Sequence, residues 1–366
     1  MKKAILGMGL LLLCFTIMGG CSKDFNKKEI NEIDMIRVLG IDFIDNQYSI
    51  SALYGIGGPE TINQDLETIE AKGDTLFEAF EQLKKENKKD LSFAFTNFYL
   101  IGQGLAEHGI DETVRFLISD DTIKINALMY VIKEEDAATI IKDAKEEKQM
   151  IQDDLKTMVS KRLDSITRNE NTVLWIFEGI ESGKSSTVIP FINYEDKKLG
   201  MSGYAAFFDN KLVAYLDEDI SLGVDLLKGI VKSCPIYLPS GSGLTLHNVK
   251  TVLTPSLQSN SIRINVQLRF DSVLRSISYP NQVMNNEIRE KIKKEQTLYM
   301  IKLLEQAVSA SQTINVDMFH LSDILENNTI IWNALRNHKD DFLQFTKFDY
   351  TIESRVTKSS VLEEWR

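Results

Sequence analysis

One segment in the last third of the chain alternates strictly between apolar and polar residues. It reads Ile-Arg-Ile-Asn-Val-Gln-Leu-Arg-Phe from residue 262 to residue 270. Successive side chains of a β-strand point to opposite faces of the sheet, so this pattern predicts a strand with one buried face and one face in water. The chain must therefore build a sheet that is covered on one side, which an all-helical fold does not provide.

Two short turns divide other apolar runs into pairs of strands. Asp45-Asn46 separates residues 35–43 from residues 48–54, and Asp209-Asn210 separates residues 204–208 from residues 211–216. Asp and Asn tolerate the positive φ angles that two-residue turns need. Each pair of runs therefore predicts an antiparallel hairpin.

The remaining periodicities predict helices and further strands. Apolar residues at helical spacing predict a helix that begins at Asp74 as its N-cap, and a long helix over 285–311. Shorter helices are predicted from Asp111 and over 134–150, 220–228 and 330–336. Strands are predicted over 91–101, 127–132 and 348–356, with a loop region over 234–243.

These elements predict an α+β fold, with mixed and antiparallel sheets packed by helices and several domains. A length of 366 residues suits two or three domains. We expect an N-terminal α/β domain at 35–195, a middle domain with a hairpin at 196–255, and a C-terminal α+β domain with the long helix at 256–366. No stretch after residue 20 is long and apolar enough to predict a membrane-spanning helix.

The first twenty residues predict a secretory signal peptide. Lys2 and Lys3 precede an uncharged apolar run that ends in Met18-Gly-Gly-Cys21, which resembles the lipobox of bacterial lipoproteins. Such peptides are cleaved before the cysteine, here after Gly20, and the Cys21 thiol then carries a diacylglyceryl group with acyl chains such as palmitate. The alternatives are an uncleaved anchor or an ordinary signal peptide. Residues 21–34 would form a polar tether between the lipid and the folded part.

Removal of residues 1–20 changes what the composition means. The full chain has a formal charge of −11 and three cysteines, whereas residues 21–366 have 40 basic and 53 acidic side chains and keep only Cys21 and Cys234. With Cys21 acylated, no disulfide can form inside the molecule, and the fold must depend on its hydrophobic cores. An acidic chain without a basic cluster also excludes nucleic acid as an expected partner.

No local motif predicts catalysis, a metal or a cofactor. The run Gly179-Ile-Glu-Ser-Gly-Lys-Ser185 has three residues between its glycines, whereas a phosphate-binding P-loop has four. Cys234 lacks a neighbouring base, and the aromatic run 93–99 is typical of a core strand. The four histidines lie far apart and have no second ligand at metal-binding spacing: His108, His247, His320 and His338. We therefore expect no enzyme, no metal and no cofactor, and ligand-binding residues remain unknown.

Several segments in order resemble the Ger(x)C family, the lipoprotein C subunits of spore germinant receptors in endospore-forming bacteria. The similar segments are Gly20-Cys21, 28–33, 38–42, 72–76, 98–102, Leu105-Ala106, Gly109, 203–207, 211–216, Gly229, 317–319 and Trp332. The sequence departs from the family at Ser22, where many members have tryptophan, and at His320-Leu321, where the family has a stretch that bears glycine.

The resemblance implies a non-catalytic subunit, lipid-anchored through Cys21 to the inner spore membrane and facing outward. It implies partner A and B subunits, a nutrient as the signal of the whole receptor, and a role in triggering germination of the spore formed during sporulation. Whether this subunit contacts the nutrient stays open. The main alternative is a lipoprotein substrate-binding module of a nutrient uptake system, although the hairpins argue against its usual parallel lobes. A membrane-tethered hydrolase would need a convergent catalytic group.

Overall fold

The computed structural model describes residues 32–56, 66–147, 151–182, 186–258, 261–277, 286–335, 338–339 and 341–358. The predicted signal peptide, Gly20, Cys21 and most of the predicted tether lie outside the described residues. Within the described ranges, the chain forms two sheets and three hydrophobic cores. One core contains residues of both sheets, and the other two lie on opposite faces of the larger sheet.

The larger sheet is mixed and contains the first nine strands. These are β1 Ile33–Ile44, β2 Gln47–Ile56, β3 Leu66–Gly73, β4 Asp90–Ser92, β5 Phe98–Ile101, β6 Leu128–Lys133, β7 Ser186–Glu195, β8 Lys198–Phe208 and β9 Lys211–Leu216. The hydrogen-bonded order is β3-β2-β1-β5-β6-β7-β8-β9, and β4 pairs with β1. The central strands β1, β5, β6 and β7 run parallel, whereas the hairpins at both edges are antiparallel.

Both predicted hairpins are confirmed. β1 and β2 pair around Asp45-Asn46, and β8 and β9 pair around Asp209-Asn210. All four turn residues have positive φ angles, between 50° and 64°. Such angles match the twist of the flanking strands, so the choice of Asp and Asn at these positions has a direct conformational reason.

The smaller sheet contains the predicted alternating strand. Its strands are β10 Ser233–Tyr237, β11 Gly243–Gln258, β12 Ser261–Ser276 and β13 Thr346–Lys358, in that order. β12 pairs antiparallel with β11 and parallel with β13. Ile262, Ile264, Val266, Leu268 and Phe270 are all buried, whereas Arg263 and Arg269 on the other face form ion pairs with Asp349 and Glu353. The prediction of one buried and one wet face is confirmed.

Ten helices cover these sheets. They are α1 Leu76–Glu86, α2 Gln103–His108, α3 Asp111–Ser119, α4 Ala137–Glu146, α5 Ile151–Ser165, α6 Val173–Glu181, α7 Glu218–Leu227, α8 Asn286–Ile314, α9 Leu321–Glu326 and α10 Thr329–Ala334, within the described residues. A short 3₁₀ helix at Phe342–Phe345 precedes β13. No helix among the described residues is both long and apolar enough to cross a membrane.

Three local predictions are wrong. The N-cap of α1 is Thr75, not Asp74, because the Thr75 hydroxyl accepts the Glu78 N–H, while the Asp74 N–H donates to the Glu78 carboxylate. Residues 91–101 form two strands, β4 and β5, because the chain turns between them and buries Phe93 against Phe80. The expected loop over 234–243 begins with strand β10, whose pairing with β11 is not visible in local composition.

A buried carboxylate joins the large sheet to α4. Asp42, near the end of β1, accepts the backbone N–H groups of Ala137 and Ala138 at 2.8 and 3.0 Å. These are orphan donors of the first helical turn, which a carboxylate satisfies well. Burial raises the pKa of Asp42 to about 6, although the two hydrogen bonds act in the opposite direction. The acid near the end of the predicted strand 35–43 therefore sets the start of a distant helix.

Helix α7 lies where the two sheets meet. It packs on β8 of the large sheet, on β11 of the small sheet and on the long helix α8. Val224, Leu226 and Leu227 of α7 belong to the core that the two sheets share. The three expected domains, 35–195, 196–255 and 256–366, stay a prediction, since membership of a sheet or a core does not itself define an independently folding unit.

Candidate functional site

The start of α7 touches the backbone of β8, and a glycine makes this approach possible. Gly203 has a φ angle of 145°, and a Cβ atom there would lie 2.1 Å from the carbonyl oxygen of Leu216. The hydroxyl of Ser221, in the first half of α7, accepts the N–H of Tyr204 at 3.1 Å. Any larger residue at position 203 would push α7 away from the sheet. The local sequence thus places the Tyr204 side chain directly beside α7.

The opposite side of α7 is held equally closely. A Cβ atom on Gly223 would lie 2.4 Å from the carbonyl oxygen of Leu303 in α8 and 2.8 Å from the Cβ of Ala307. A residue without a side chain is therefore needed where the two helices cross. Because α7 is fixed between β8 and α8, the polar side chains that it carries have defined positions.

Arg162, Tyr204 and Asp225 form a polar cluster under α7. The Tyr204 hydroxyl donates to Asp225 Oδ1 and accepts a hydrogen bond from Arg162 Nη2, and Arg162 Nη2 lies 3.5 Å from Asp225 Oδ2. Burial raises the pKa of Asp225, an effect that the Arg162 charge opposes. Burial and the nearby Asp225 charge hold the pKa of Tyr204 well above its usual value, so the phenol stays protonated and remains a donor.

A cavity of about 500 Å³ opens beside this cluster. Helix α5 forms one wall, β8 forms the second and α7 forms the third. Apolar side chains dominate the lining away from the cluster: Met158, Leu199, Met201, Leu222, Val231 and Cys234. A cavity of this size, mostly apolar with a few convergent polar groups, has the general form of a small-molecule site.

A second polar cluster lies at the other end of α7. Lys228 Nζ is 2.8 Å from Glu170 Oε2, Arg168 Nη2 is 2.6 Å from Glu170 Oε1, and His320 Nε2 is 3.8 Å from Glu170 Oε2. The Lys228 and Glu170 side chains are only 3% and 6% exposed. Burial opposes ionisation of Glu170, but the His320 ring and the Lys228 ammonium outweigh it and hold the pKa of this carboxyl well below its usual range. This cluster therefore carries a buried, fully formed ion pair.

Neither cluster has the arrangement of a catalytic centre. The thiol of Cys234 is buried, and burial raises its pKa to about 12, which leaves it protonated and unreactive at neutral pH. Among the described residues, no group of three His, Cys, Asp or Glu side chains could hold a metal ion. The ion pairs and hydrogen bonds of the clusters join α5, β8, α7 and the segments around Glu170 and His320.

Two family models match the chain one after the other. The model of the spore germination protein N-terminal domain matches residues 26–194, and the model of the C-terminal part of spore germination B3/GerAC-like proteins matches residues 202–360. Together they span most of the sequence. The chain belongs to the GerAC-like family of spore germination proteins. The resemblance to Ger(x)C proteins found in the sequence is therefore confirmed.

Two known proteins, one compared by sequence and one by structure, match the chain over most of its length. Spore germination protein KC of Bacillus subtilis (strain 168) is 21% identical over 401 aligned residues, which cover 98% of this chain and 97% of the relative. The crystal structure of the GerBC protein superimposes with a TM-score of 0.57 at 16% identity and covers 87% of this chain and 96% of that one. The structural match supports the α+β fold class predicted from the sequence.

The turn before α9 contains a residue with a positive φ angle. His320 has a φ angle of 56°, in the left-handed region that glycine adopts without strain. The carboxylate of Asp317 accepts the N–H groups of Leu321 and Ser322 at 2.8 Å each and so fixes the start of α9. A histidine therefore occupies a position in this turn that suits glycine.

The residues singled out in the sequence are widely separated in the structure. Gly20 and Cys21, the predicted cleavage and lipidation residues, lie outside the described residues. Gly179 lies in helix α6, and residues 183–185 of the same run are also outside the described ranges. His108 stacks on Phe43 with ring centroids 3.8 Å apart, and the other three histidines lie beside Ser233, Glu170 and Asp341 respectively.

Sequence reasoning missed Arg162, Tyr204 and Asp225. Tyr204 belongs to a segment that resembles the GerAC-like family, but nothing in that segment indicates a polar role. Asp225 does carry a signal, since it interrupts the apolar run Val224 to Leu227 on a predicted helix. An acid in such a run must be paired when it is buried. Its partner Arg162 is 63 residues away and could not be found from spacing alone.

Proposed function

We propose that this chain is the lipid-anchored, non-catalytic subunit of a nutrient germinant receptor. The match of both GerAC-like models along the chain carries the proposal. The lipobox at Met18 to Cys21 supports anchoring through Cys21 after cleavage behind Gly20. Two acyl chains give stable membrane attachment without a spanning helix. The subunit would face outward from the inner spore membrane, with 21–34 as its tether and three domains at 35–195, 196–255 and 256–366.

In this proposal the protein works through partners. It would assemble with A and B receptor subunits and help to relay nutrient detection. The charged clusters at α7 support a role in binding and holding, because they offer no activated nucleophile. Residues 21–366, with 40 basic against 53 acidic side chains, also favour a lipid anchor over electrostatic attraction to the membrane surface.

A pair of leader variants tests the anchor. Cys21→Ala removes the proposed acylated thiol, and we expect an uncleaved or released protein, seen as a changed intact mass and a loss from the membrane fraction. Cys14→Ala alters a cysteine inside the leader and serves as the matched control, with normal processing expected. An unchanged mass and membrane fraction in Cys21→Ala would contradict lipidation at this residue.

A deletion and a pull-down test the receptor role. In spores that lack other germinant receptors, we expect deletion of this gene to abolish germination in response to nutrients. Tagged protein from spore membranes should copurify with the partner subunits, and the Cys21→Ala variant should recover less of them. Normal germination of the deletion strain, together with a pull-down free of membrane partners, would overturn the proposal.

A further inference from the structure

The cavity between α5, β8 and α7 has a charged group with unused donors in its wall. Arg162 uses Nη2 for both Tyr204 and Asp225. Within the described part of the chain, its Nε and Nη1 groups donate to no protein acceptor. The Arg162 side chain is 18% exposed and lines the cavity, and none of its nitrogen atoms is both buried and without a hydrogen-bond partner.

We infer that this cavity binds a small carboxylate with an apolar body, held by the guanidinium of Arg162. The free Nε and Nη1 groups of this guanidinium can each donate a charge-assisted hydrogen bond to a carboxylate oxygen. Both oxygens of Asp225 already accept hydrogen bonds, one from Tyr204 and one from Arg162. The unbonded groups of the cluster are donors on Arg162, so the cluster can bind a hydrogen-bond acceptor rather than a cation. The inference concerns this cavity alone and does not rest on the germinant receptor proposal.

The other walls define the body of the ligand. Met158 and Met201 line the cavity from α5 and β8, and Leu199 and Leu222 complete the apolar lining. Methionine side chains adapt to ligands of different shape. The lining carries two bases, Lys161 and Arg162, and two acids, Glu218 and Asp225, so its charges balance and a multiply charged phosphate is disfavoured. A singly charged carboxylate with a short branched tail suits both the charge and the lining.

Backbone hydrogen bonds hold the cavity open in a defined shape. The Lys232 N–H donates to the carbonyl of Ser165 at 2.7 Å, and the Thr167 N–H donates to the carbonyl of Ile230 at 2.8 Å. These bonds tie the end of α5 to the segment after α7. The wall that carries Arg162 therefore has a fixed position relative to the wall that carries Asp225. Ligand binding then has no entropic cost of ordering these two walls.

Methyl NMR on the full-length protein in non-ionic detergent tests the inference. The probe is 4-methylpentanoate, and the signals are the ¹³C-labelled methionine methyl groups. We expect saturable shifts at Met158 and Met201, while Met35 and Met300, buried elsewhere, remain unchanged. The neutral isostere 4-methylpentanamide should bind at least tenfold more weakly, because it lacks the charge that Arg162 recognises.

Two variants separate ligand binding from folding. Arg162→Lys keeps a positive charge but loses the separate donor groups with which the guanidinium can reach Tyr204, Asp225 and the ligand at the same time, and we expect at least tenfold weaker binding of 4-methylpentanoate. Leu222 lines the cavity from α7 and is half-buried, so Leu222→Trp should fill part of the site while the thermal midpoint stays close to that of the unmodified protein. The exposed substitution Arg269→Lys is the control and should leave the affinity unchanged.

Three outcomes would overturn the inference. The first is the absence of saturable shifts at Met158 and Met201. The second is equal binding of the acid and the amide, which would mean that Arg162 does not recognise the charge. The third is unchanged affinity in Leu222→Trp, which would place the probe elsewhere, and this result is informative even if Arg162→Lys does not fold.

Discussion

The large sheet is covered by helices on both faces, whereas the small sheet is covered on one. Along β1, residues from Asp34 to Asp42 are nearly all buried, because one face packs against α1, α2 and α3 and the other against α4. Along β12, burial alternates, and the wet face carries charged residues. The difference follows the strand pairing, since the centre of the large sheet is parallel and its crossover helices return over its faces.

The two regions also place their ion pairs in different environments. The wet face of the small sheet pairs Arg263 with Asp349 at 2.7 Å, with side chains 36% and 50% exposed. At the junction of the sheets, Lys228 and Glu170 are almost fully buried. The two ion pairs therefore contribute differently to stability. The cost of desolvation and the screening by solvent differ between the exposed and the buried pair.

Alanine substitutions at neighbouring positions should show the largest difference between the two sheets in the free energy of unfolding that is lost. Val38 and Leu39 are both fully buried but lie in different cores, so both Val38→Ala and Leu39→Ala should destabilise, with about 2–5 kcal/mol lost for leucine. In β12, Leu268→Ala should cost a similar amount, whereas Arg269→Ala should cost less than about 1 kcal/mol. Urea unfolding measures all four.

The contrast between neighbours is the decisive result of that experiment. If Val38→Ala leaves the free energy of unfolding unchanged while Leu39→Ala lowers it, the large sheet is covered on one face only. If Arg269→Ala costs as much as Leu268→Ala, the outer face of the small sheet is buried in solution. Either result would remove the difference between the two sheets.

Breaking the buried ion pair should have the next largest effect. Lys228→Met keeps the length of the side chain but removes its charge. Glu170 then retains an ion pair with Arg168, whose side chain is half exposed. We expect a loss of about 3 kcal/mol, since an uncompensated buried charge is costly. The double variant Lys228→Met/Glu170→Gln should recover more than half of this loss in urea unfolding. A loss below about 1 kcal/mol in the single variant would indicate that water reaches Glu170.

The sequence predicts those strands of both sheets that carry a local signal. The alternation at 262–270 encodes which side of β12 is buried, and the Asp-Asn turns encode two hairpins, because both signals are local. The parallel pairing of β1, β5, β6 and β7 has no local signal, since short apolar strands such as Phe98–Ile101 can take several neighbours. The helical and strand spacing nevertheless predicts the α+β class.

The candidate site depends on contacts that no motif contains. Arg162, Tyr204 and Asp225 come from α5, β8 and α7, and sequence separations of 21 to 63 residues join them. Only Asp225, the acid inside the apolar run of α7, could have indicated the position of the site from the sequence. The lipobox, by contrast, is a continuous signal that can be interpreted without a structure.

A titration of stability against pH should reveal the contribution of Asp42, the buried carboxylate of the large sheet. Because burial raises the pKa of folded Asp42 to about 6, from an ordinary value of 3.8, the folded state binds its proton more tightly than the unfolded state. The stability that this proton contributes is present at low pH and is lost as the pH rises through about 6. Relative to Asp42→Asn, the protein should lose about 2–3 kcal/mol between pH 4 and pH 7.

The comparison with Asp42→Asn removes the contribution of all other titrating groups, since both proteins share them. The asparagine keeps the size of the side chain and one acceptor for the N–H groups of Ala137 and Ala138. A difference that grows with rising pH would mean that these hydrogen bonds outweigh burial and that the carboxylate is favoured in the folded state. Urea midpoints at four pH values between 4 and 7 are sufficient to determine the sign.

The smallest effect is expected for the ion pair on the wet face. Arg263 Nη1 reaches both oxygens of Asp349, at 2.8 and 2.7 Å, which is a favourable geometry for an exposed pair. Because water and salt surround these groups, Asp349→Ala should still cost less than about 1 kcal/mol, and 0.5 M NaCl should reduce the cost further. The parallel register of β12 and β13 brings the two residues together. The backbone hydrogen bonds between these strands form without the two side chains. A loss as large as that of Lys228→Met, insensitive to salt, would mean that a partner surface or another element covers this face and that both sheets are enclosed.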